Sequence, residues 1–323
     1  MTAVKAKRST SALQVGQLHA LPGKIIKGEI DVARLPTDTW VSLPVALVNG
    51  KYDGRRLVLC AGIHGDEVSG VEIIRQVLSQ VDARKLRGSI VAVPIVNIFG
   101  FIQQSRYLPD RRDLNRSFPG SPEGSLAARI AYLFMRDVIT QAEYLIDLHT
   151  GSDHRTNLPQ IRADLTDDDV RQAAIAFGAP VMVHARIRDG SLREAATRRG
   201  AKVLLYEAGE ALRLDQPAIR DGVAGVFQVL KHLDMYEYEK KLPERQPIEI
   251  AKSTWLRAGR GGLLRLSKGL GDQVVKGTQI GIISDVFGDS KRSVRAKFDG
   301  IIIGLTRNPL VNRGDAVVHL GQL

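Results

Sequence analysis

The chain has 323 residues, of which 44% are hydrophobic and 25% are charged, and this composition and length fit about two globular domains and exclude a disordered or fibrous protein. Its single cysteine, Cys60, excludes an internal disulfide and therefore a disulfide-stapled secreted fold. The formal net charge of +11 is the unusual value, and it raises the alternative of a protein that binds nucleic acid or another polyanion.

The hydropathy along the chain predicts no membrane-spanning segment, and the N-terminal residues predict no export signal. The longest uncharged stretch, 89–105, is interrupted by Pro94, Asn97 and Gly100, so it does not read as a membrane span. The basic residues near the start of the chain are not followed by an apolar run, which argues against a signal peptide. We therefore expect a cytoplasmic protein.

The chain divides into three consecutive segments that differ in their pattern of hydrophobic residues and turn signals. Residues 1–49 predict a β-rich segment that ends at the Asn49-Gly50 turn signal. Residues 50–240 alternate short apolar strands with stretches of helical period, which predicts an α/β fold with a mostly parallel mixed sheet flanked by helices. The predicted strands are 56–61, 89–96, 144–148, 181–184 and 203–206, and the predicted helices are 68–81, 125–139, 168–177 and 217–233.

The C-terminal segment, 248–323, has no helical period and follows a charged stretch at 237–249. Its apolar runs are short and are separated by Gly, Asp, Asn and Pro turns, which predicts a small all-β, barrel-like module. The predicted strands of this module are 263–266, 279–283, 293–297, 300–305 and 316–320.

Two histidines follow predicted strands of the α/β segment. His64 and Glu67 lie three residues apart in a glycine-containing loop, a spacing at which an imidazole and a carboxylate can reach one ion. This pair alone is better explained as a loop histidine beside a solvated glutamate. His149 follows the strand at 144–148, and two histidines, a glutamate and a water are the ligands of a hydrolytic zinc site. His154 is a rival ligand, but it falls in a polar loop and is expected to be solvated.

Arginines and a further glutamate are the other candidates. Arg106, Arg111, Arg112 and Arg116 lie between the two histidine motifs, and guanidinium groups bind carboxylates or stabilise an oxyanion. An arginine-rich solvated loop is the alternative. Glu207 directly follows the strand at 203–206. Burial of a carboxylate there costs free energy unless the group has a partner or a catalytic role. A structural ion pair with an arginine is the competing explanation.

Taken in chain order, these motifs resemble the succinylglutamate desuccinylase/aspartoacylase family, whose fold is that of the zinc carboxypeptidases. The resemblance rests on G-x-H-G-x-E at 62–67, D-L-N-R at 113–116, D-L-H-T-G at 147–151 and E-A-G at 207–209, and it spans roughly residues 50–235. The segment 248–323 is similar to the small β-barrel of many bacterial members, which itself resembles biotinyl and lipoyl carrier domains.

The resemblance implies a role for each matching residue. His64, Glu67 and His149 would bind one zinc ion, and Asp113 would orient His64. Asn115 and Arg116 would bind the carboxylate of the substrate, and Glu207 would act as the general base and later as the acid. The arginine that polarises the scissile carbonyl stays open among Arg106, Arg111 and Arg112, with Arg106 ranked first and Arg112 second.

The predicted function is that of a zinc-dependent deacylase that cleaves the amide of an N-acylated amino acid or a related small amine. A zinc carboxypeptidase is the enzyme alternative, and a polyanion-binding protein is the alternative from another class. Residues 248–323 hold 12 basic and 6 acidic residues, whereas residues 50–247 hold 28 and 26, so most of the excess charge lies outside the predicted active site. Aromatic residues, which would stack on bases, make up only 5% of the chain. We therefore expect a small-molecule partner and neither nucleic acid nor membrane, with the oligomeric state open, a homo-oligomer included.

Overall fold

A computed structural model describes residues 7–152, 154–185, 188–238 and 245–323. Part of the predicted charged stretch, at 239–244, and the first six residues of the predicted β-rich segment lie outside the described residues. Among the described residues, no helix combines the length and the apolar character that a membrane crossing requires.

The N-terminal part of the chain is entirely β-structure. A short hairpin packs beside two long antiparallel strands, the second of which joins the central sheet through its pairing with residues 89–92. These four strands are β1 (Leu13–Val15), β2 (Leu18–Ala20), β3 (Lys24–Arg34) and β4 (Trp40–Asn49).

Strands and helices then alternate, as the sequence predicts. The helices begin at residues that cap them: Asp167, Ser191 and Asp215 each accept a hydrogen bond from a backbone N–H of the first turn. The elements of this part are β5 (Tyr52–Ala61), α1 (Ser69–Gln80), β6 (Arg87–Val93), α2 (Ile98–Ile102), a 3-10 turn (Leu114–Arg116), α3 (Leu126–Phe134), a π-helical turn (Met135–Ile139), β7 (Tyr144–Gly151), β8 (Arg155–Ala163), α4 (Asp168–Phe177), β9 (Val181–His184), α5 (Leu192–Arg198), β10 (Lys202–Glu210) and α6 (Gln216–His232).

The C-terminal part is again all β. It has its own apolar core, which includes Ile280, Ile302 and Val318. Its strands are β11 (Ile248–Ile250), β12 (Ser253–Arg257), β13 (Gly262–Leu266), β14 (Gln273–Val274), β15 (Gln279–Ser284), β16 (Lys291–Arg295), β17 (Gly300–Thr306), β18 (Leu310–Val311) and β19 (Ala316–Gln322).

A mixed sheet runs through the molecule in the order β12-β19-β17-β8-β10-β7-β5-β6-β4-β3. The central strands β6, β5, β7 and β10 are parallel, and antiparallel pairs extend the sheet on both sides. Helices α1, α4 and α6 cover one face, where Ile73, Phe177 and Phe227 are buried, and α3 and α5 cover the other. The predicted α/β fold with a mixed sheet is confirmed, with parallel pairs at its centre and a second parallel group in which β9 pairs with β8 and β11.

Strands β12, β14, β17 and β19 continue the central sheet, while β13, β15, β16 and β18 form a separate four-stranded antiparallel sheet, so the predicted all-β C-terminal module is confirmed. Strand β17 pairs with β8, with Gly304 opposite Asn157 and Leu305 opposite Thr156, and β11 pairs in parallel with β9. Because β8 also borders β10, this pairing brings the C-terminal strands beside the carboxyl end of β10. The division at 49 and at 240–248 into functional domains stays a prediction.

Candidate active site

The ends of three neighbouring strands carry the predicted catalytic side chains. His64 and Glu67 follow β5, His149 lies in β7 and Glu207 lies in β10. Strands β5, β7 and β10 are parallel neighbours, and Glu207 is directly opposite His149 in the register. The carboxyl ends of parallel strands form one edge of the sheet, where ligands of α/β proteins bind, so the sheet itself brings these residues into one pocket.

Glu67 lies between the two histidines. Its Oε1 is 2.7 Å from Nδ1 of His64 and its Oε2 is 2.8 Å from Nδ1 of His149, while the backbone N–H of Thr150 also donates to Oε2 at 3.0 Å. All three side chains are buried. The rings of the two histidines lie with their centroids 5.1 Å apart. The predicted group His64, Glu67 and His149 is therefore assembled by the fold, with its donor atoms facing one point.

A carboxylate lies behind each imidazole. Nε2 of His64 is 3.2 Å from Oδ1 of Asp113, as the sequence predicts, and Nε2 of His149 is 2.9 Å from Oδ2 of Asp147. The second contact is close but is not aligned as a hydrogen bond, so both of its atoms are buried without a hydrogen-bond partner among the described residues. The sequence motifs assign no separate role to Asp147, although its position two residues before His149 on one strand face could have indicated one.

The carboxylates dominate the electrostatics of this group. Burial alone would lower the pKa of both imidazoles, but Glu67 and Asp113 raise the pKa of His64, and Asp147 and Glu67 raise that of His149 well above its ordinary value. Burial would raise the pKa of Glu67, yet the two imidazoles hold it well below its usual range. The negative potential that produces these shifts also favours a bound cation.

The donor set fits a metal ion. One ligand atom from each of His64, Glu67 and His149 lies within 4.8 Å of the others, and no further group of this kind is found among the described residues. Two imidazole nitrogens and one carboxylate are ligands that zinc accepts, and a carboxylate is commonly found behind a histidine that binds zinc. His154, the predicted rival, is exposed in its loop and is not part of the group.

The loop that carries His64 and Glu67 requires glycine at position 65. A Cβ atom at Gly65 would lie 1.9 Å from the backbone carbonyl carbon of Gly100, and the Gly65 N–H donates to the carbonyl of Ser105. We expect Gly65→Ala to lower the free energy of unfolding by about 1–3 kcal/mol, because backbone must move to admit the methyl group. Urea unfolding would measure this change in the free energy of unfolding. Gly269→Ala is the control, since a Cβ at position 269 would have no neighbouring atom within 4 Å. Equal midpoints for the two variants would contradict this explanation.

The structure separates the two candidate arginines. Nη2 of Arg106 donates to Oδ2 of Asp113 at 2.9 Å, and its Nη1 lies 3.2 Å from Nδ1 of His64 and 3.6 Å from Oε1 of Glu67. The side chain of Arg112 is 64% exposed, pairs with Asp110 at 3.8 Å and does not line the pocket. The structure therefore brings Arg106 to the site and leaves Arg112 outside it, because the loop turns at Arg111, where φ is positive.

Asn115 and Arg116 both line the pocket but have different surroundings. Asp113 accepts from the backbone N–H of Asn115 at the start of the 3-10 turn. The Asn115 side chain is buried and its Oδ1 accepts from the backbone N–H of Leu192 at the start of α5. The Arg116 guanidinium bonds to the carbonyl of Asn115. The D-L-N-R motif thus links the histidine group to α5 as well as supplying polar groups to the pocket.

Glu207 is held from the neighbouring strand. Nδ2 of Asn157 donates to its Oε2 at 2.7 Å, and Nε of Arg162 lies 4.0 Å from its Oε1. The carboxylate side chain is 25% exposed and faces the same pocket as His64 and His149. The ion pair that the sequence analysis weighed against a catalytic role is therefore present only as a long contact, and the closer partner is a neutral amide.

The pocket has a volume of about 210 Å³, and elements that the sequence analysis did not connect with the site supply much of its wall. Four further arginines line it: Arg155, Arg162, Arg188 and Arg193. The C-terminal strands contribute Trp255 and His319, whose rings stack with centroids 4.7 Å apart, and the Arg155 guanidinium lies over the Trp255 ring, 5.2 Å from its centroid. No sequence motif indicates that Trp255 and His319 belong to the site. They reach the pocket only because β17 pairs with β8.

This fold and this site define an α/β protein with a buried group of two histidines and a glutamate, able to hold a metal ion, at the carboxyl edge of its sheet. The chain belongs to the succinylglutamate desuccinylase/aspartoacylase family, since the profile of that family's catalytic domain matches residues 53–233. The resemblance seen in the four sequence motifs is thereby confirmed.

Individual relatives agree with this assignment. An N-alpha-acetyl-L-2,4-diaminobutyric acid deacetylase from Halomonas elongata is 28% identical over 296 residues, which are 88% of this chain and 86% of that protein. A succinylglutamate desuccinylase/aspartoacylase structure from Rhodobacter sphaeroides is 26% identical, with a TM-score of 0.80 over 92% of this chain and 95% of the other. The product-bound ectoine utilization protein EutE (DoeB) from Ruegeria pomeroyi, 24% identical, has the same fold, with a TM-score of 0.84 over 93% and 95% of the chains. Enzymes with these names hydrolyse amide bonds, so the predicted enzyme class, an amide-cleaving deacylase, is confirmed.

Proposed function

We propose that this protein is a zinc-dependent deacylase that hydrolyses the amide bond of an N-acylated amino acid. The observation that carries the proposal is the buried group of His64, Glu67 and His149, with a carboxylate behind each imidazole, in one pocket with Glu207. Zinc bound to these three residues would supply Lewis-acid activation of a water and of the scissile carbonyl.

The chain's own residues supply the rest of the chemistry. Glu207 accepts a proton from the attacking water and later delivers it to the leaving amine, and Asn157 holds its carboxylate in position. Arg106 stabilises the charge that develops on the carbonyl oxygen, while Asp113 fixes its guanidinium. Arg116, with Asn115 as its neighbour in the pocket wall, binds the carboxylate of the amino acid. These roles follow the family resemblance, and the contacts above support them.

The size of the pocket supports a small substrate over a peptide. Trp255 and His319 of the C-terminal strands form part of the wall of a cavity of only about 210 Å³. The test combines metal analysis of the purified protein with a substrate screen. The screen covers N-acetyl, N-succinyl and N-formyl amino acids and, as carboxypeptidase substrates, dipeptides with a free C-terminal carboxylate. We expect one zinc per chain and release of free amine from the N-acyl amino acids. Absence of both would refute the proposal, and preference for the dipeptides would instead indicate a carboxypeptidase.

The assignment of the carbonyl-polarising arginine can be tested with two variants. We expect Arg106→Gln to lower kcat about 100- to 1,000-fold, since removal of one donor to a developing oxyanion has effects of that size. Arg112→Gln should leave kcat within a factor of about two, because the exposed Arg112 side chain does not line the pocket. Steady-state kinetics on one N-acyl amino acid measures both, and a larger loss in Arg112→Gln would reverse the assignment.

A further inference from the structure

The single cysteine of the chain, Cys60, lies beside a carboxylate inside the protein. Cys60 is on β5, and Asp147 on the neighbouring parallel strand β7 is directly opposite to it in the register. Sγ of Cys60 donates a hydrogen bond to Oδ1 of Asp147 at 3.4 Å, and the two residues are only 0% and 1% exposed. Cys60 lies outside the four sequence motifs of the family, and the proposed catalytic steps do not use it.

The Asp147 carboxylate has few neighbours that can stabilise it. Its directly opposite residue on the other side of the sheet is Leu205 of β10, which offers no polar side chain. Among the described residues, the Cys60 thiol is the only group that donates a hydrogen bond to this carboxylate, because the 2.9 Å contact of its Oδ2 with Nε2 of His149 is not aligned. A buried carboxylate without donors is destabilised relative to a solvated one, so this hydrogen bond helps to fix where the carboxylate lies.

The thiol of Cys60 stays protonated at neutral pH. Burial raises its pKa well above the usual value, and the neighbouring charge of Asp147 raises it further. A protonated thiol has one proton to donate, and a fully buried one is not a reactive nucleophile. Cys60 therefore acts on Asp147 as a hydrogen-bond donor.

Packing alone does not require a cysteine at this position. Cys60 belongs to the apolar core that α3 and α5 cover, as does Val58, which lies two residues earlier on the same face of β5. A free cysteine fills such a core as a small hydrophobic residue, and alanine or valine would do the same. What distinguishes the two positions is the carboxylate, since Val58 is opposite Leu145.

We propose that Cys60 is a positioning residue, whose thiol holds the Asp147 carboxylate behind His149 and thereby increases the affinity of the site for zinc. The link consists of two direct contacts, from Sγ of Cys60 to Oδ1 of Asp147 and from Oδ2 of Asp147 to Nε2 of His149. Partners of ligating histidines contribute to metal affinity by orienting the imidazole. This inference rests on the proposed function, because it takes the group that includes His149 as the zinc site.

Three variants test the effect on zinc affinity, which competition with a chromophoric chelator measures. Cys60→Ala removes the donor and should weaken zinc binding by about 3- to 10-fold, the size of one hydrogen bond. Cys60→Ser keeps a donor and should bind zinc as tightly as the unchanged protein. Val58→Ala is the matched control, since it truncates a buried side chain of the same core away from Asp147. It should lower the free energy of unfolding, measured in urea, without changing zinc affinity.

The pattern across these variants decides between positioning and packing. Unchanged zinc affinity in Cys60→Ala would overturn the proposal. Equal losses in Cys60→Ala and Cys60→Ser, or in Cys60→Ala and Val58→Ala, would show that packing of the core is responsible and would overturn it as well.

A double-mutant cycle tests whether the effect passes through Asp147. Asp147→Asn replaces the charged acceptor by a neutral one, so Cys60→Ala should cost less zinc affinity in that background than in the unchanged protein. Equal losses in the two backgrounds would mean that Cys60 affects the site by another route, contrary to the proposal.

The S–H stretching band in the infrared spectrum provides a readout that depends on neither zinc nor turnover. Cys60 is the only cysteine of the chain, so the protein has one such band. In the metal-free protein we expect the low frequency of a hydrogen-bonded thiol, and a shift to higher frequency in Asp147→Asn. If no zinc binds but the band shifts in this way, the proposed function fails and Cys60 still positions Asp147. If zinc binds and amides are hydrolysed while neither the band nor the affinity responds, the positioning role fails and the deacylase function stands.

Discussion

A Glu207→Gln variant is expected to lose two to four orders of magnitude in kcat, roughly the contribution of a positioned general acid–base group. Glutamine keeps the shape of the side chain and can still accept from Nδ2 of Asn157, so the strand and the pocket wall should be unchanged. What the variant lacks is a group that takes a proton from water and returns it to the amine. Single-turnover and steady-state rates on an N-acyl amino acid would measure the loss.

The control for this variant is its metal content. Glu207 does not belong to the group of His64, Glu67 and His149, so Glu207→Gln should bind zinc in the same stoichiometry as the unchanged protein. A variant that keeps its zinc but loses turnover supports the role in proton transfer. Near-normal turnover would show that Glu207 serves another purpose, such as balancing the charge of Arg162, which lies 4.0 Å away.

The contact between Asn157 and Glu207 supports the interpretation that Glu207 is a functional group. A buried carboxylate that served only as a structural ion pair would be expected to lie within hydrogen-bond distance of its cation. Here the short contact, 2.7 Å, is to the amide of Asn157, and 25% of the side chain is exposed to the pocket. The site thus orients the carboxylate through a neutral partner and leaves it accessible to substrate.

Much of the fold could be predicted because its signals are local. Helix α4 and strand β9 have the bounds that the hydrophobic period indicates, and α1 and α6 differ from the predicted bounds by one residue at each end. Strand β8 and helix α5 were not predicted. β8 is rich in polar residues because one edge of the pocket lies on it, and α5 is only seven residues long, so neither shows a clear period.

The meeting of His64, Glu67 and His149 in one group could be predicted for a different reason. His64 lies just beyond β5 and His149 lies near the end of β7, and neighbouring parallel strands bring their carboxyl ends together at one edge of the sheet. Asp147 and the pocket arginines Arg162, Arg188 and Arg193 could not be found in this way. Asp147 acts through a contact with His149 on its own strand, and the arginines reach the pocket only when β8 and α5 are in place.

The distribution of charge in the folded protein differs from its distribution along the sequence, which has a net charge of +11. Counted by segment, the excess of basic residues lies mostly in 248–323 and outside the predicted catalytic segment. The pocket is nevertheless rich in arginine, because folding brings together residues such as Arg106 and Arg193 that are far apart in sequence while the acidic residues of the same segment lie largely elsewhere. Local charge in the folded protein, and not the total, therefore carries the information about substrate.

A Glu67→Gln variant is expected to have the largest effect on metal content. Glu67 is buried, its two carboxylate oxygens lie 2.7 and 2.8 Å from the Nδ1 atoms of His64 and His149, and it is the anionic member of the group. An amide removes the only negative charge among the three residues of the group, and this charge attracts a divalent cation. We expect zinc affinity to fall by more than about 100-fold, since outer partners of ligating histidines alone contribute 10- to 100-fold.

Asp147→Asn provides the graded comparison, because Asp147 contacts His149 from the side opposite to Glu67. It should weaken zinc binding by about 10- to 100-fold, less than Glu67→Gln, and excess zinc should restore its turnover. Competition with a chromophoric chelator measures both affinities. The order of the two losses decides the assignment: if Asp147→Asn lost more zinc than Glu67→Gln, the metal would be bound on the Nε2 side of His149, and the ligand group proposed above would be wrong.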